Sequence, residues 1–350
     1  MNLCRGFHLI NAVWGEEYTN FFLNLCLPTQ LSPENIPAFK NVERAVYKIY
    51  TTAKDAETIF RHPIYSVLSA AIETEIKIFN FSESYLKDYK HQTLTYCHQH
   101  AVVEAYQENC GIIFLVADGA YADGSFKNLI RISKSGKRAI MLCTYRIAKE
   151  TFVPEFLRLF NPNRELTISA SPRELVRLSL KHLHPTTKVL FWQRNGCNSF
   201  HPSMLFWSVG DEGLVARSFH THPLMIIPSR KDVLPYPTID GKYVSLACPN
   251  LEDDVYVVED SDYIYYAELS NSEMYPEHIR PQGITNEEEV AWWMTQATDI
   301  FHRYCFQHHK ILHHANDITP EWEIIKKETE KVTAKIYNDF NNTYQGISIY

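Results

Sequence analysis

Residues 111–126, GIIFLVADGAYADGSF, decide the fold that we predict for this chain. The apolar run at residues 112–116 predicts a buried strand, and Asp118 follows that strand at its carboxyl end. A glycine-rich turn with a second acid, Asp123, comes next. In open α/β sheets, ligands bind outside the carboxyl ends of the strands. Asp118 is therefore a candidate site residue, although the stretch alone leaves open whether it binds a ligand or caps a turn.

Strands and helices alternate around this stretch as far as about residue 145. Apolar runs predict the strands, and amphipathic periodicity predicts the helices between them. The predicted strands are residues 7–13, 46–50, 76–79, 112–116 and 139–145, and the predicted helices are residues 16–27, 54–60, 82–107 and 126–133. Such alternation favours βαβ units, a mostly parallel sheet and an α/β, Rossmann-like fold.

The second half of the chain has a less regular pattern. It predicts a helix over residues 171–184, a strand over 200–209, a short helix over 214–219 and a proline-rich loop or mobile flap over 228–240. From residue 286 the pattern is helical. We therefore predict an α/β domain, residues 1–283, and a C-terminal helical extension, residues 284–350, that packs on the core, forms a homodimer or contacts a partner.

Composition excludes some classes of protein. The 34 basic and 41 acidic residues give a net charge of −7, and the absence of a long basic run argues against nucleic acid as the main partner. No apolar stretch reaches the roughly 18 residues that a membrane span needs, and the first residues do not form a signal peptide. The eight scattered cysteines lack a CxxC pair, which is typical of reduced thiols in a cytoplasmic protein.

Two further motifs carry groups that could perform chemistry. Asp211 and Glu212 open the short helix predicted over residues 214–219, where a helix N-terminus favours carboxylates, so they are site candidates or simple caps. The His220-Thr221-His222 segment places both rings on one side of an extended chain. These histidines could bind a metal or a phosphate, or they could be satisfied core residues.

The order of the three motifs resembles that of the GT-A nucleotide-sugar glycosyltransferases. In that family a strand of the type "fLDaD" ends in a metal-binding DxD motif, a later acidic pair opens a helix, and a histidine completes the metal shell. Residues 114–118, FLVAD, match the first motif, with Asp118 on the second acid and Val116 on the first. Residues 210–217, GDEGLVAR, match the second, and His220 or His222 matches the last ligand.

The resemblance implies a GT-A fold, a single Rossmann-like sheet with flanking helices, and transfer of a sugar from a nucleotide donor to an unknown glycan, protein or small-molecule acceptor. Asp118, with His220 or His222, would hold Mn²⁺ or Mg²⁺, although Val116 removes one carboxylate and leaves the ion mainly to the diphosphate. The other expected roles are an acceptor base at Asp211 or Glu212, donor contacts at Trp14, Thr51 and Thr52, and phosphate contacts at Arg217 and Lys231.

Two other functions remain open at this point. A GT-A-like protein that has lost catalysis could act as a binding or scaffold protein through its helical tail. A metal-dependent hydrolase built on His220 and His222 would instead bind zinc tightly.

Overall fold

The computed structural model describes residues 4–344. Its strands, in chain order, are β1 Gly6–Ala12, β2 Arg44–Thr51, β3 Glu73–Ile78, β4 Cys110–Leu115, β5 Gly119–Tyr121, β6 Ala139–Leu142, β7 Arg146–Ala148, β8 Met204–Val209, β9 Gly213–Ser218, β10 His222–Ile226, β11 Val255–Val257, β12 Tyr266–Ser270 and β13 Ile311–His314. Its α-helices are α1 Glu16–Phe21, α2 Leu27–Gln30, α3 Ala53–Arg61, α4 Pro63–Ala71, α5 Glu83–Asp88, α6 Lys90–Glu108, α7 Ser125–Ser133, α8 Lys149–Phe160, α9 Pro172–Lys181, α10 Pro185–Lys188, α11 Lys242–Ala247, α12 Leu251–Asp254, α13 Glu287–Ala297, α14 Ile300–His308 and α15 Pro320–Tyr344. A π-helical segment, Phe22–Cys26, joins α1 to α2, and 3₁₀ segments occupy Ile36–Asn41 and Pro276–His278.

The chain divides into two compact units. Unit 1 contains residues 4–142, 157–171 and 222–256, and unit 2 contains residues 143–156, 172–221 and 257–344. The C-terminal helices, predicted to form a separate extension from residue 284, belong to unit 2 together with residues 257–283 and two earlier segments of the chain.

Unit 1 is built on a seven-stranded mixed sheet with the order β11-β6-β10-β4-β1-β2-β3. Strands β1, β2, β3 and β4 are parallel to one another. Strand β10 is antiparallel to both β4 and β6, so that β6 runs in the same direction as β4. The α/β class is thus confirmed, and a sheet of this kind is compatible with a Rossmann-like fold.

The central strands β1 and β4 are buried along almost their whole length. This burial explains their near-continuous apolar sequence, because parallel strands at the centre of a sheet are covered on both faces. Helix α6 covers one face and passes directly into β4 through Asn109, which adopts the left-handed conformation at the helix end. Helix α6 and β4 are therefore antiparallel, and the end of α6 lies at the amino edge of the sheet.

The face of the sheet under α6 carries buried charge. Lys48 on β2 is 1% exposed, and its Nζ lies 3.0 Å from Glu104 Oε2 on α6. Lys77 on β3 donates to the other Glu104 oxygen at 2.9 Å. Although burial opposes the shift, hydrogen bonds from Lys77 and Lys48 lower the pKa of Glu104 to about 2. The carboxylate therefore holds two lysines from neighbouring strands against one helix.

Unit 2 contains an antiparallel sheet with the order β13-β9-β8 and a parallel pair formed by β7 and β12. Helix α15 packs on α13, β8 and β9. The buried core between them includes Trp192, Trp207, Phe219, Met294 and Ile336. Helices α13 and α15 therefore pack against the antiparallel sheet of unit 2.

Several predictions from the sequence were wrong in detail. The expected single sheet is accompanied by the strands of unit 2. Residues 214–219, predicted as a helix, lie mainly in β9, a strand buried along its whole length and paired on both edges with β8 and β13. The helical pattern predicted from residue 286 is interrupted, because α14 ends at His308 and the chain then enters β13. The first helical region, predicted over residues 16–27, continues past Pro28 as α2 to Gln30.

Replacing Glu104 by alanine should destabilise the protein by about 3 kcal/mol, because Lys48 stays buried after losing its nearest carboxylate. Glu57, exposed on α3 and paired with Arg61, is the control, and Glu57→Ala should cost no more than about 0.5 kcal/mol. Urea unfolding of both variants at pH 7 measures the difference. If both variants lost the same stability, the buried contact between Lys48 and Glu104 would not stabilise the fold as we expect.

Candidate functional site

The strand order of unit 1 creates a crevice at the carboxyl edge of its sheet. From β1 the chain proceeds outward through β2 and β3 on one side, whereas β4 pairs with the other side of β1. The loops after β1 and β4 therefore leave toward opposite sides. This is the topological switch point at which open α/β sheets bind ligands.

On the β1 side, Trp14 and Gly15 follow the strand. The Gly15 N–H donates to Asp55 Oδ2 at 2.9 Å, and the Thr52 hydroxyl donates to the same oxygen at 2.7 Å. Gly15 has φ of 83°, a conformation that favours glycine, and Thr52 caps α3 by accepting from Asp55 N. The buried Asp55 carboxylate thus joins the loops that follow β1 and β2, while Trp14 remains half-buried above them.

Thr51, the last residue of β2, is buried beside this junction. Its hydroxyl has no hydrogen-bond partner among residues 4–344. Thr51 and Thr52 thus differ in their surroundings, because the Thr52 hydroxyl is already bound to Asp55.

On the β4 side, the loop that carries Asp118 is anchored through Val116. The Val116 carbonyl accepts from Asn11 Nδ2 at 3.3 Å and from Cys26 Sγ at 3.0 Å, and its N–H donates to the Tyr121 hydroxyl. Asp118 is half-buried at the edge of the sheet. Burial raises the pKa of the Cys26 thiol to about 12, and the nearby Asp118 charge adds to that rise. Val116 therefore acts through its backbone, and Asp118 is the acidic residue of this loop.

His222 lies at the same edge. Because β10 is antiparallel to β4, its first residue, His222, lies at the carboxyl end of β4 and pairs with Leu142 of β6. Burial and the neighbouring His222 lower the pKa of His98 on α6 to about 3, and Asp240 opposes this shift. His98, His222 and Asp240 thus form a cluster of titratable groups near the end of β4, where the His98 ring packs on Phe114.

The segment predicted as a flap is held against α6. Gln99 Nε2 donates to the Pro235 carbonyl at 2.7 Å, and the Thr95 hydroxyl donates to the Pro237 carbonyl. Because α6 begins near the carboxyl edge of the sheet, these bonds place residues 235–237 close to that edge. Asp240 follows them in the chain. Lys231 is exposed and comes earlier, shortly after β10 ends at the amino edge. The path of the segment therefore gives no support to a phosphate contact from Lys231.

Asp211 and Glu212 lie in the turn between β8 and β9 of unit 2, and they do not open a helix. Glu212 Oε2 accepts from Trp322 Nε1 at 2.8 Å and from the Thr319 hydroxyl at 2.9 Å. Gly213 follows, and a side chain there would collide with the His313 carbonyl. Glu212 therefore fixes α15 to the turn, whereas Asp211 is exposed.

Arg217 and His220 also belong to unit 2. Arg217 is 3% exposed, and its guanidinium donates to the carbonyls of Phe306, Gln307 and His309 and to the Thr329 hydroxyl. These bonds satisfy carbonyls at the end of α14, which is a structural role. The His220 ring lies 3.3 Å from the Ala297 carbonyl and packs against His302. The two histidines of the predicted HxH pair thus belong to different units.

A group of acidic residues and a histidine in unit 2 could hold a metal ion. Asp260, Asp262 and His314 have ligand atoms within 4.8 Å of one another. His314 Nε2 lies 2.9 Å from Asp260 Oδ1, and Nδ1 faces the Asn316 carbonyl. Arg173 donates to both oxygens of Asp262. The protein's own cations therefore already neutralise these carboxylates.

The structure thus brings Trp14, Thr51, Thr52, Asp118 and His222 to one edge of the unit 1 sheet. Asp211, Glu212, Arg217 and His220 lie in unit 2. Three further residues of that edge, Asp55, His98 and Asp240, were missed by the sequence analysis. Only Asp55 has a local signal, because it stands three residues after the capping Thr52.

No protein-family model matches the chain, and no curated protein matches it. Within residues 4–344, none of the helices combines the length and apolar character that crossing a membrane requires.

Replacing His98 by glutamine should reduce the loss of stability in acid. The folded-state pKa of His98 is about 3, below the value of 6.5 for an unfolded histidine. Its neutral form therefore stabilises the protein fully above pH 6.5, and this contribution falls by up to about 1.4 kcal/mol per pH unit as pH decreases. Urea unfolding at pH 7 and pH 5 should show a shallower decline for His98→Gln. An unchanged decline would show that His98 is protonated in the folded protein.

Replacing Glu212 by alanine should cost about 1–3 kcal/mol of stability, because the buried Trp322 N–H loses its acceptor. The neighbouring Asp211→Ala change removes an exposed carboxylate and should cost no more than about 0.5 kcal/mol. Chemical denaturation compares the pair. A Glu212→Ala protein as stable as the parent would contradict the structural role.

Proposed function

We propose that the protein is a glycosyltransferase whose unit 1 binds a nucleotide-diphosphate sugar at the carboxyl edge of its sheet. The observation that carries this proposal is the switch point between β1 and β4, with Trp14 on one side and Asp118 on the other. An aromatic ring suits a nucleobase, and a half-buried carboxylate suits a divalent ion or a sugar hydroxyl. Of the three sequence motifs, the first and the last supply residues to this edge, Asp118 and His222, whereas the second lies in unit 2.

The first step of the proposed reaction is binding of the donor. Trp14 would pack on the base, while Asp55 keeps the Gly15 backbone in place beside it. Asp118 and His222 would hold Mn²⁺ or Mg²⁺, which would stabilise the charge that develops on the leaving diphosphate. One carboxylate and one imidazole are a sparse ligand set, and they fit an ion that takes its remaining oxygens from the diphosphate.

The transfer step forms a bond between an acceptor oxygen and the anomeric carbon, and it breaks the bond from that carbon to the diphosphate, which leaves with the electron pair. The acceptor proton passes to a base. Asp240 is our first candidate, because it interacts with His98 in the cluster that includes His222. Asp211 and Glu212, the bases that the resemblance implies, belong to unit 2 and are not part of this proposal, and Trp322 and Thr319 already bind the Glu212 carboxylate.

Replacing Asp118 by asparagine should weaken donor binding by about tenfold or more, because a charged contact to the ion is lost. The measurement is a thermal-shift screen of the parent with UDP-, GDP-, CMP- and dTDP-sugars, with and without Mn²⁺, followed by calorimetry on the best donor. A ligand that binds the folded state raises the melting temperature by mass action.

The matched control is Asp123→Asn, in the turn that follows β5. Asp123 accepts from Glu34 N and from the Ser169 hydroxyl, and an amide can keep both contacts, so donor binding should not change. If no sugar nucleotide stabilises the parent, the proposal fails. Donor binding without hydrolysis or transfer to any acceptor would favour a binding protein, which the valine at position 116 makes the second candidate.

A further inference from the structure

A continuous row of aromatic rings leads away from the proposed donor site along the carboxyl edge of unit 1. It begins where the Trp14 ring meets Phe79 at 5.7 Å and 84°. The chain places Phe79 and Phe81 there because they follow β3, which is parallel to β1 and β2. The row, here called the aromatic strip, consists of Trp14, Phe79, Phe81, Tyr85, Tyr89 and Tyr96.

The outer half of the strip is exposed to solvent. Phe81 stacks on Tyr85 with centroids 5.0 Å apart and planes 24° apart, and Tyr85 stacks on Tyr89 at 4.9 Å and 30°. Tyr96, from α6, meets Phe81 edge to face at 5.4 Å. The three tyrosines are 36%, 48% and 49% exposed in chain order. These rings fix one another in place, so little rotamer freedom would be lost on binding a ligand.

The exposed part of the strip lies in a setting with no net formal charge. Residues 82–91 contain two lysines, one glutamate and one aspartate, so their formal charges cancel. Such a surface lacks the excess of basic residues that a polyanion such as nucleic acid requires. Its exposed rings are all tyrosines, each of which combines an apolar face with a hydroxyl. A sugar ring has the matching character, with an apolar C–H face and a rim of hydroxyls.

We propose that the aromatic strip binds a neutral oligosaccharide. The strip starts at Trp14, at the carboxyl edge of the sheet, and continues outward for several rings. An extended chain of sugars would therefore cover the tyrosines, whereas a single sugar would leave the outer rings uncovered.

The experiment titrates the full chain, without donor, with maltohexaose, cellohexaose and chitohexaose, and follows binding by saturation-transfer NMR and calorimetry. At least one oligosaccharide should bind. The double variant Tyr85→Ala and Tyr89→Ala, and separately Tyr96→Ala, should weaken that binding by about tenfold, since each change removes exposed aromatic surface and a hydroxyl.

Tyr106→Ala is the matched control. Tyr106 lies on α6, as Tyr96 does, and is 39% exposed, but it is near the helix end at the amino edge of the sheet. Ten residues of helix separate the two tyrosines by about 15 Å. Binding of oligosaccharide by Tyr106→Ala should equal that of the parent, and a similar loss in both tyrosine variants of α6 would overturn the proposal.

Two measurements keep this proposal separate from the proposed function. If sugar nucleotides stabilise the protein but none of the three oligosaccharides binds, the proposed role of the aromatic strip is wrong and donor binding still stands. If no sugar nucleotide stabilises the protein but an oligosaccharide binds through the tyrosines, the proposed role of the aromatic strip is supported and the proposed glycosyltransferase function is wrong. Sedimentation of the parent and the Tyr85/Tyr89 double variant tests the remaining occupant. Self-association that the double variant abolishes would assign the strip to a second copy of the chain.

Discussion

The pairing of β1 with parallel neighbours on both of its edges is the constraint on which the rest of unit 1 depends. Seven residues of β1 are paired with β2, and six of them are also paired with β4. A strand bound on both sides, and covered on both faces, is largely apolar, and its two polar side chains, His8 and Asn11, are hydrogen-bonded to Glu108 and to the Val116 carbonyl. The loops after β1 and β4 must then leave in opposite directions. The crevice between them is a consequence of strand order and needs no special side chain to open it.

The stability of this sheet comes partly from charges that the apolar pattern does not reveal. Lys48 and Lys77 point from neighbouring parallel strands toward Glu104, and His8 on β1 contacts Glu108 one turn later on α6. A buried ion pair contributes little over an apolar pair of the same shape, but losing one member is costly. The two glutamates therefore define where α6 crosses the sheet. That position in turn brings His98 next to Phe114 and Tyr96 next to Phe81.

The sequence predicted the elements whose signal is local, and it failed where the signal depends on distant partners. Strands β1, β2 and β4 followed from apolar runs, and the helices near residues 16–27, 54–60 and 82–107 followed from periodicity, whereas α4 was not predicted. Strand β9 did not, because the glycines and acids before it are equally typical of a hairpin turn and of a helix start. The same ambiguity made Glu212 look catalytic, whereas its partner Trp322 lies 110 residues later. His98 and Asp240 were missed for a related reason, since only the folded chain shows that they interact.

Charge balance at the carboxyl edge explains why a metal ion belongs in the proposed chemistry. The acidic groups identified there are Asp55, Asp118 and Asp240, and a nucleoside diphosphate would add further negative charge. Burial holds His98 neutral, because its pKa is about 3. In the proposed reaction, a divalent ion between Asp118 and the diphosphate would reduce this repulsion and would also stabilise the leaving group. With valine at position 116, such an ion would take most of its oxygens from the donor, so metal and sugar nucleotide would bind cooperatively.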